Sequence, residues 1–136
     1  MVIKKLFGFI CERQIPVLIP YEELSLVPML DLISRYHDIP FIYSNLPWRG
    51  ETEKRNLFPV MEQCSNLFVD TIPSPHRGIE EVVRHFGSGR MVFSSLYPFR
   101  EPGAAISYLM YSEISEDDLE NIAYKNLARL FNRIVL

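Results

Sequence analysis

The sequence is short of what several functional classes require. Cys11 and Cys64 are too few for a disulfide framework and have no metal-type spacing, a usage that suits a reducing, cytoplasmic location. Lys and Arg number 14 against 17 Asp and Glu, and no basic run extends past Lys4-Lys5, so nucleic acid is not an expected partner. No apolar run approaches the roughly 18 residues of a membrane-spanning helix, and no membrane partner is expected. Lys4-Lys5 followed by Leu6-Phe7-Gly8-Phe9-Ile10-Cys11 imitates a secretory signal, but the stretch is short, is cut off by Glu12-Arg13 and precedes no small-residue cleavage site. Histidine occurs 3 times, without a His-x-His pair. What is there is a chain of 136 residues, 48% hydrophobic, with its prolines and glycines scattered. That is the composition of one soluble domain over residues 1–136, with too much apolar content for disorder.

Four β-rich runs recur: Pro16-Val17-Leu18-Ile19, Phe41-Ile42-Tyr43-Ser44, Leu67-Phe68-Val69-Asp70 and Met91-Val92-Phe93-Ser94. Each is almost continuously apolar, as in strands of a parallel sheet covered on both faces. Helical patterns lie between them. Ser25 is predicted to cap a helix with Leu26, Leu30 and Ile33 on one stripe, and Asn56 a second with Leu57, Val60 and Met61. A third helix, from Gly78 to a stop at Gly87, buries Ile79, Val82, Val83 and Phe86. Gly103 to Tyr111 reads as a short helix. Ser115 then caps a long one with Leu119, Ile122, Ala123, Leu127, Leu130 and Ile134 on its buried stripe, and Val2 to Glu12 is helical before the first strand. Alternation of this kind means an α/β fold with about four parallel strands and extra C-terminal helices. The sheet is either open and doubly wound or part of a (β/α)8 barrel, which takes about 250 residues.

In either case the binding face lies at the C-terminal ends of the strands. The segment Gly78 to Phe99, with Arg90-Met91-Val92-Phe93-Ser94-Ser95-Leu96-Tyr97-Pro98 at its centre, closely resembles the last barrel unit of amidohydrolase-related proteins, metal-dependent hydrolases and decarboxylases with a TIM-barrel fold. Asn126-Leu127-Ala128-Arg129-Leu130-Phe131 is similar to their terminal-helix phrase. Ile15 to Ile19, His37 to Ile42 and Asn66 to Thr71 resemble the family's fifth, sixth and seventh strands. The resemblance implies half of a (β/α)8 TIM barrel, the C-terminal half.

Its functional residues do not carry over. Pro20 stands where the family has a metal-binding histidine, Ser44-Asn45-Leu46-Pro47 where it has a histidine-containing turn, and Leu96 where it has the catalytic, metal-binding aspartate. Proline and leucine offer no donor to zinc. The resemblance therefore implies a degenerate protein without an intact metal centre, a pseudoenzyme with no assignable catalytic residue. No cofactor is expected in this chain; zinc or another divalent metal is expected only if a partner supplies ligands. The alternatives are one half of an active hydrolase or decarboxylase completed by another polypeptide, and a stand-alone module for a small ligand or an interaction.

The candidate ligand-binding residues are Asn45, Trp48, Arg49, Asp70, His76, Tyr97 and Arg100. Asn45 and Asp70 read more readily as loop organisers, and His76, without a carboxylate or nucleophile partner in sequence, as a solvated or capping residue. Trp48, Arg49, Tyr97, Phe99 and Arg100 form an aromatic, cationic rim suited to an anionic or aromatic ligand or to a protein interface. Glu22 and Glu23 are read as complementing a helix N-terminus, and His37 and His85 as surface residues. Half a barrel also leaves two bare strand edges and an apolar inner face, to which Val17, Ile42, Val69 and Phe93 are assigned. The expected remedy is self-association or a complementary half-barrel chain; cover by the terminal helices is the other.

Overall fold

All four β-rich runs pair in parallel, in the order β1-β2-β3-β4, and each is joined to the next through a helix. The computed structural model describes residues 2–45, 51–71 and 77–136. The strands are β1 (Val17–Pro20), β2 (Phe41–Ser44), β3 (Leu67–Asp70) and β4 (Met91–Val92). The helices are α1 (Val2–Arg13), α2 (Leu26–Arg35), α3 (Glu51–Gln63), α4 (Gly78–Phe86) and α5 (Pro102–Met110). A terminal helix follows as α6 (Glu116–Glu120), a π-helical stretch (Asn121–Lys125) and α7 (Asn126–Phe131).

Strand parity divides the sheet into two differently covered faces. Phe41, Tyr43, Leu67, Val69 and Met91 join buried residues of α1 to α5, among them Met29, Ile33, Leu57, Met61 and Ile79, in one large core. The opposite, inner face carries Leu18 beside Ile42 and Ile42 beside Phe68, and one step higher Pro20 beside Ser44 and Asp70 beside Val92. Val17, Val69 and Phe93 therefore belong to the helix-covered face, contrary to the sequence expectation; of the four residues assigned inward, Ile42 alone is there. In a continuously apolar run no polar residue marks the alternation, so parity has to come from the register.

Local signals hold at most helix boundaries. Gly87 ends α4 at φ +76°, and Ser115 Oγ accepts the Asp118 N–H at 3.1 Å. Ser25 occupies the N-cap of α2, but its side chain makes no capping bond. Asn56 is not a cap: α3 begins at Glu51, because the helix-favouring segment Glu51 to Arg55 extends it, and Pro59 falls inside it. Half-buried polar side chains pin the ends of the elements. Asn66 Nδ2 donates to the Tyr36 and Ile39 carbonyls at 3.2 and 2.9 Å, and Arg90 reaches the carbonyls of Leu67, Met61 and Cys64.

The terminal helix contributes to both sides of the sheet. Ile122 joins the large core, while Leu130 is buried against Ile42, Phe68 and Val92 on the inner face with Leu127 beside it. Asn126, 1% exposed, donates through Nδ2 to the Ser88 and Met91 carbonyls at 2.7 and 2.8 Å. Past α7, Arg133 donates to Gln14 Oε1 at 2.8 Å and Val135 N–H to the Arg13 carbonyl at 2.9 Å, so the chain end is tied to the foot of β1.

Two outcomes follow. Replacing Asn126 with Leu strands the Met91 carbonyl and takes one of two donors from the Ser88 carbonyl, and is expected to lower unfolding free energy by about 1–3 kcal/mol in a denaturant titration. Tyr43 is fully buried; its hydroxyl donates to the Leu24 carbonyl at 3.0 Å, and burial, then the nearby Tyr21 and Glu22, push its pKa up to about 12. The unfolded tyrosine titrates near 10. Tyr43 thus contributes full stability below about pH 10 and loses it as pH rises towards 12. Tyr43→Phe is expected to remove that part of the alkaline decline seen in the parent protein.

Candidate functional site

Above the apolar part of the inner face, the strand ends turn polar. Ser44 Oγ donates to Asp70 Oδ2 at 2.6 Å, and the Asn45 N–H points to the same oxygen at 3.4 Å. Asp70 is only 8% exposed, so its carboxyl group takes these bonds beneath the surface. Thr71 and Ser94 join the tops of β3 and β4, the Ser94 N–H reaching Thr71 Oγ1 at 3.1 Å. The upper layer is therefore rigid, three strands being bound to one another by side chains as well as by the ladder.

A cleft of about 690 Å³ lies over this layer. One wall is Leu18, Pro20, Glu22 and Glu23 from β1 and the turn after it; the other is Ser94 to Tyr97, Phe99 and Arg100; Ser44 and Asn45 lie between them. Its size is that of an ordinary small-molecule site. The Tyr43 hydroxyl, bonded to Leu24, steadies the turn that presents the two glutamates. Asn45 Nδ2 donates to Glu22 Oε1, closing the cleft floor towards β1.

Two residues at the mouth have left-handed backbones, Asn45 at φ +58° and Leu96 at φ +57°. Asparagine adopts this region readily; for leucine it costs about 1–2 kcal/mol. The Leu96 carbonyl accepts the Phe99 and Arg100 N–H groups at 2.8 and 3.2 Å, which wraps the rim loop around it.

Of the residues singled out from sequence, Asn45, Tyr97 and Arg100 line the cleft, and Asp70 lies below it bonded to Ser44. Trp48, Arg49 and His76 fall outside the described residues. Phe99, 89% exposed, is on the rim. Glu22 and Glu23, read from sequence as complementing a helix N-terminus, line the cleft. Leu18, 58% exposed, was missed as a cleft residue because its run looks wholly buried in sequence. His37 and His85 are exposed, the latter with its ring 4.8 Å from that of Phe58.

The donor set among the described residues does not fit a metal ion. Pro20 and Leu96 have no side-chain ligand atoms, the Asn45 amide is directed at Glu22, and among the described residues no three His, Cys, Asp or Glu side chains are grouped to hold a metal. Among the described residues, no helix is long and apolar enough to cross a membrane.

No protein-family model and no curated protein matches the chain in sequence. Solved structures match in fold. An uncharacterized TIM-barrel protein from Bordetella bronchiseptica aligns at TM-score 0.76 and 19% identity, over 96% of this chain and 50% of its own. Amidohydrolase 2 from Bifidobacterium longum subsp. infantis aligns at 0.70 and 15% identity, over 90% and 52%. A 2,6-dihydroxybenzoate decarboxylase from Rhizobium aligns at 0.60 and 20%, over 82% and 41%. The chain thus spans about half the length of these proteins, and its four parallel strands with alternating helices have the architecture of half a TIM barrel.

Proposed function

We propose that this chain is a disarmed counterpart of the C-terminal half of amidohydrolase and decarboxylase barrels, one that keeps a ligand cleft at its strand ends and has lost the metal centre. The observation that carries this reading is Leu96. It occupies a left-handed position that Asp, Asn and Gly adopt at lower cost, at the end of the last strand, where the resemblance puts a catalytic aspartate. A side chain mismatched to its backbone is understandable if the loop was shaped around a different residue. Pro20, at the end of β1, removes a second donor in the same way.

What remains suits a small planar molecule. Leu18, Tyr97 and Phe99 supply apolar contact, Ser95 a hydroxyl, and Arg100 a cation for an acidic substituent. The decarboxylase from Rhizobium is named for 2,6-dihydroxybenzoate, which makes that compound a sensible first probe.

Metal analysis tests the first half of the reading. After incubation with zinc or manganese and desalting, the chain is expected to retain no stoichiometric ion, and one tightly held ion per chain would falsify the reading. Leu96→Asp is expected to fold with a stability within about 1 kcal/mol of the parent, since aspartate tolerates the backbone, and still to hold no metal because Pro20 offers no second donor. Thermal unfolding tests the second half. 2,6-Dihydroxybenzoate at about 100 times its Kd stabilises a binder by about 2.7 kcal/mol; the expectation is a raised Tm in the parent and a smaller rise in Arg100→Ala. An unchanged Tm at the highest soluble concentration of the compound counts against this ligand class.

A further inference from the structure

A half-barrel has two strand edges at which the rest of a barrel would join; here one is closed and the other blunted. On the outer edge of β4, Met91 N–H bonds to the Ser88 carbonyl, the Met91 carbonyl accepts from Asn126 Nδ2 at 2.8 Å, and Phe93 N–H donates to the Ile122 carbonyl at 3.0 Å. Ile122 and Asn126 are four residues apart, one above the other on the helix. The Ile122 carbonyl is free to do this because the helix is π-wound there: Asn126 N–H bonds to Asn121, five residues back, and so does not occupy Ile122 as it would in an α-helix. The helix turns its own backbone to the strand edge.

On β1, Val17 and Tyr21 N–H groups point to β2, bonding the Pro40 and Ser44 carbonyls at 2.9 and 2.8 Å. By alternation the open edge belongs to residues 16, 18 and 20. Pro16 and Pro20 have no N–H, which leaves Leu18 as the one amide donor across that stretch. A neighbouring strand finds a single N–H there, beside the carbonyls of residues 16, 18 and 20.

From this juxtaposition we infer that the sheet is closed within one chain, the terminal helix standing where another strand would pair and two prolines blunting the far edge, so that neither a second copy nor a complementary half-barrel is added through the strand edges. Among the described residues both walls of the cleft then come from one copy, from β1 and the turn after it and from the segment after β4.

Light scattering combined with amide hydrogen exchange tests this on the full chain. The expected result is a monomer of 15.9 kDa from micromolar concentration upward, with the Phe93 amide exchanging as slowly as amides in the central strand β2. A stable dimer, or a Phe93 amide that exchanges like an exposed loop, overturns the inference. In Leu130→Ala, which loosens the helix from the inner face, Phe93 exchange is expected to quicken by about tenfold or more relative to Tyr43. If that variant fails to fold, the measurements on the parent chain still decide; if it folds with Phe93 unchanged relative to Tyr43, the helix is not what closes the edge and the inference fails.

Discussion

The backbone groups on the outer edge of β4 need partners, and in a closed barrel a neighbouring strand supplies them. Here the Phe93 N–H meets the Ile122 carbonyl and the Met91 carbonyl meets Asn126. Much else follows from this contact. It lays the terminal helix along the strand, which brings Leu127 and Leu130 onto Ile42, Phe68 and Val92, and lets the chain end reach Arg13 and Gln14 at the foot of β1. Without that cover, three large apolar side chains on the inner face would meet water, at a cost of roughly 1.5–3 kcal/mol each.

The cover stops partway, and that determines where a ligand fits. The helix buries the inner face at the level of Ile42 and Phe68, where the side chains are apolar. Above it, Ser44, Asp70, Thr71 and Ser94 form a bonded polar layer that needs no cover, and the cleft opens over them. Leu18, level with Ile42 but on β1, is outside the cluster the helix buries and stands at the cleft wall. Binding face and closure are thus two levels of one surface, separated by the polarity of successive inward-facing residues.

Much of the fold was legible in sequence. Phe41 to Ser44 and Leu67 to Asp70 are strands over the expected residues, because turn residues and helical patterns bound each apolar run sharply. The first run begins and ends one residue later than expected, and the last shortens to Met91–Val92, where Phe93 leaves the ladder for the terminal helix. Strand parity was illegible, since Val17 and Ile42 look alike in runs without polar alternation. The Asn126 side chain stood in a recognisable phrase, yet nothing in the phrase announces that it bonds carbonyls in the Ser88 to Met91 segment. The cleft was half legible: Asn45, Tyr97 and Arg100 follow from the rule that strands bind at their C-terminal ends. Glu22 and Glu23 needed the actual course of the turn after β1, and Leu96 needed its φ.

The account rests on the closure of β4 by the chain's own helix, and a hydrogen bond can be observed directly. In the isotope-labelled full chain, NMR measures scalar coupling across the bond between an amide nitrogen and its acceptor carbonyl carbon. The account predicts a coupling from the Phe93 nitrogen to the Ile122 carbonyl carbon. A Phe93 nitrogen coupled to a carbonyl of another strand, or to none while the Val17 to Pro40 coupling is seen, would contradict it.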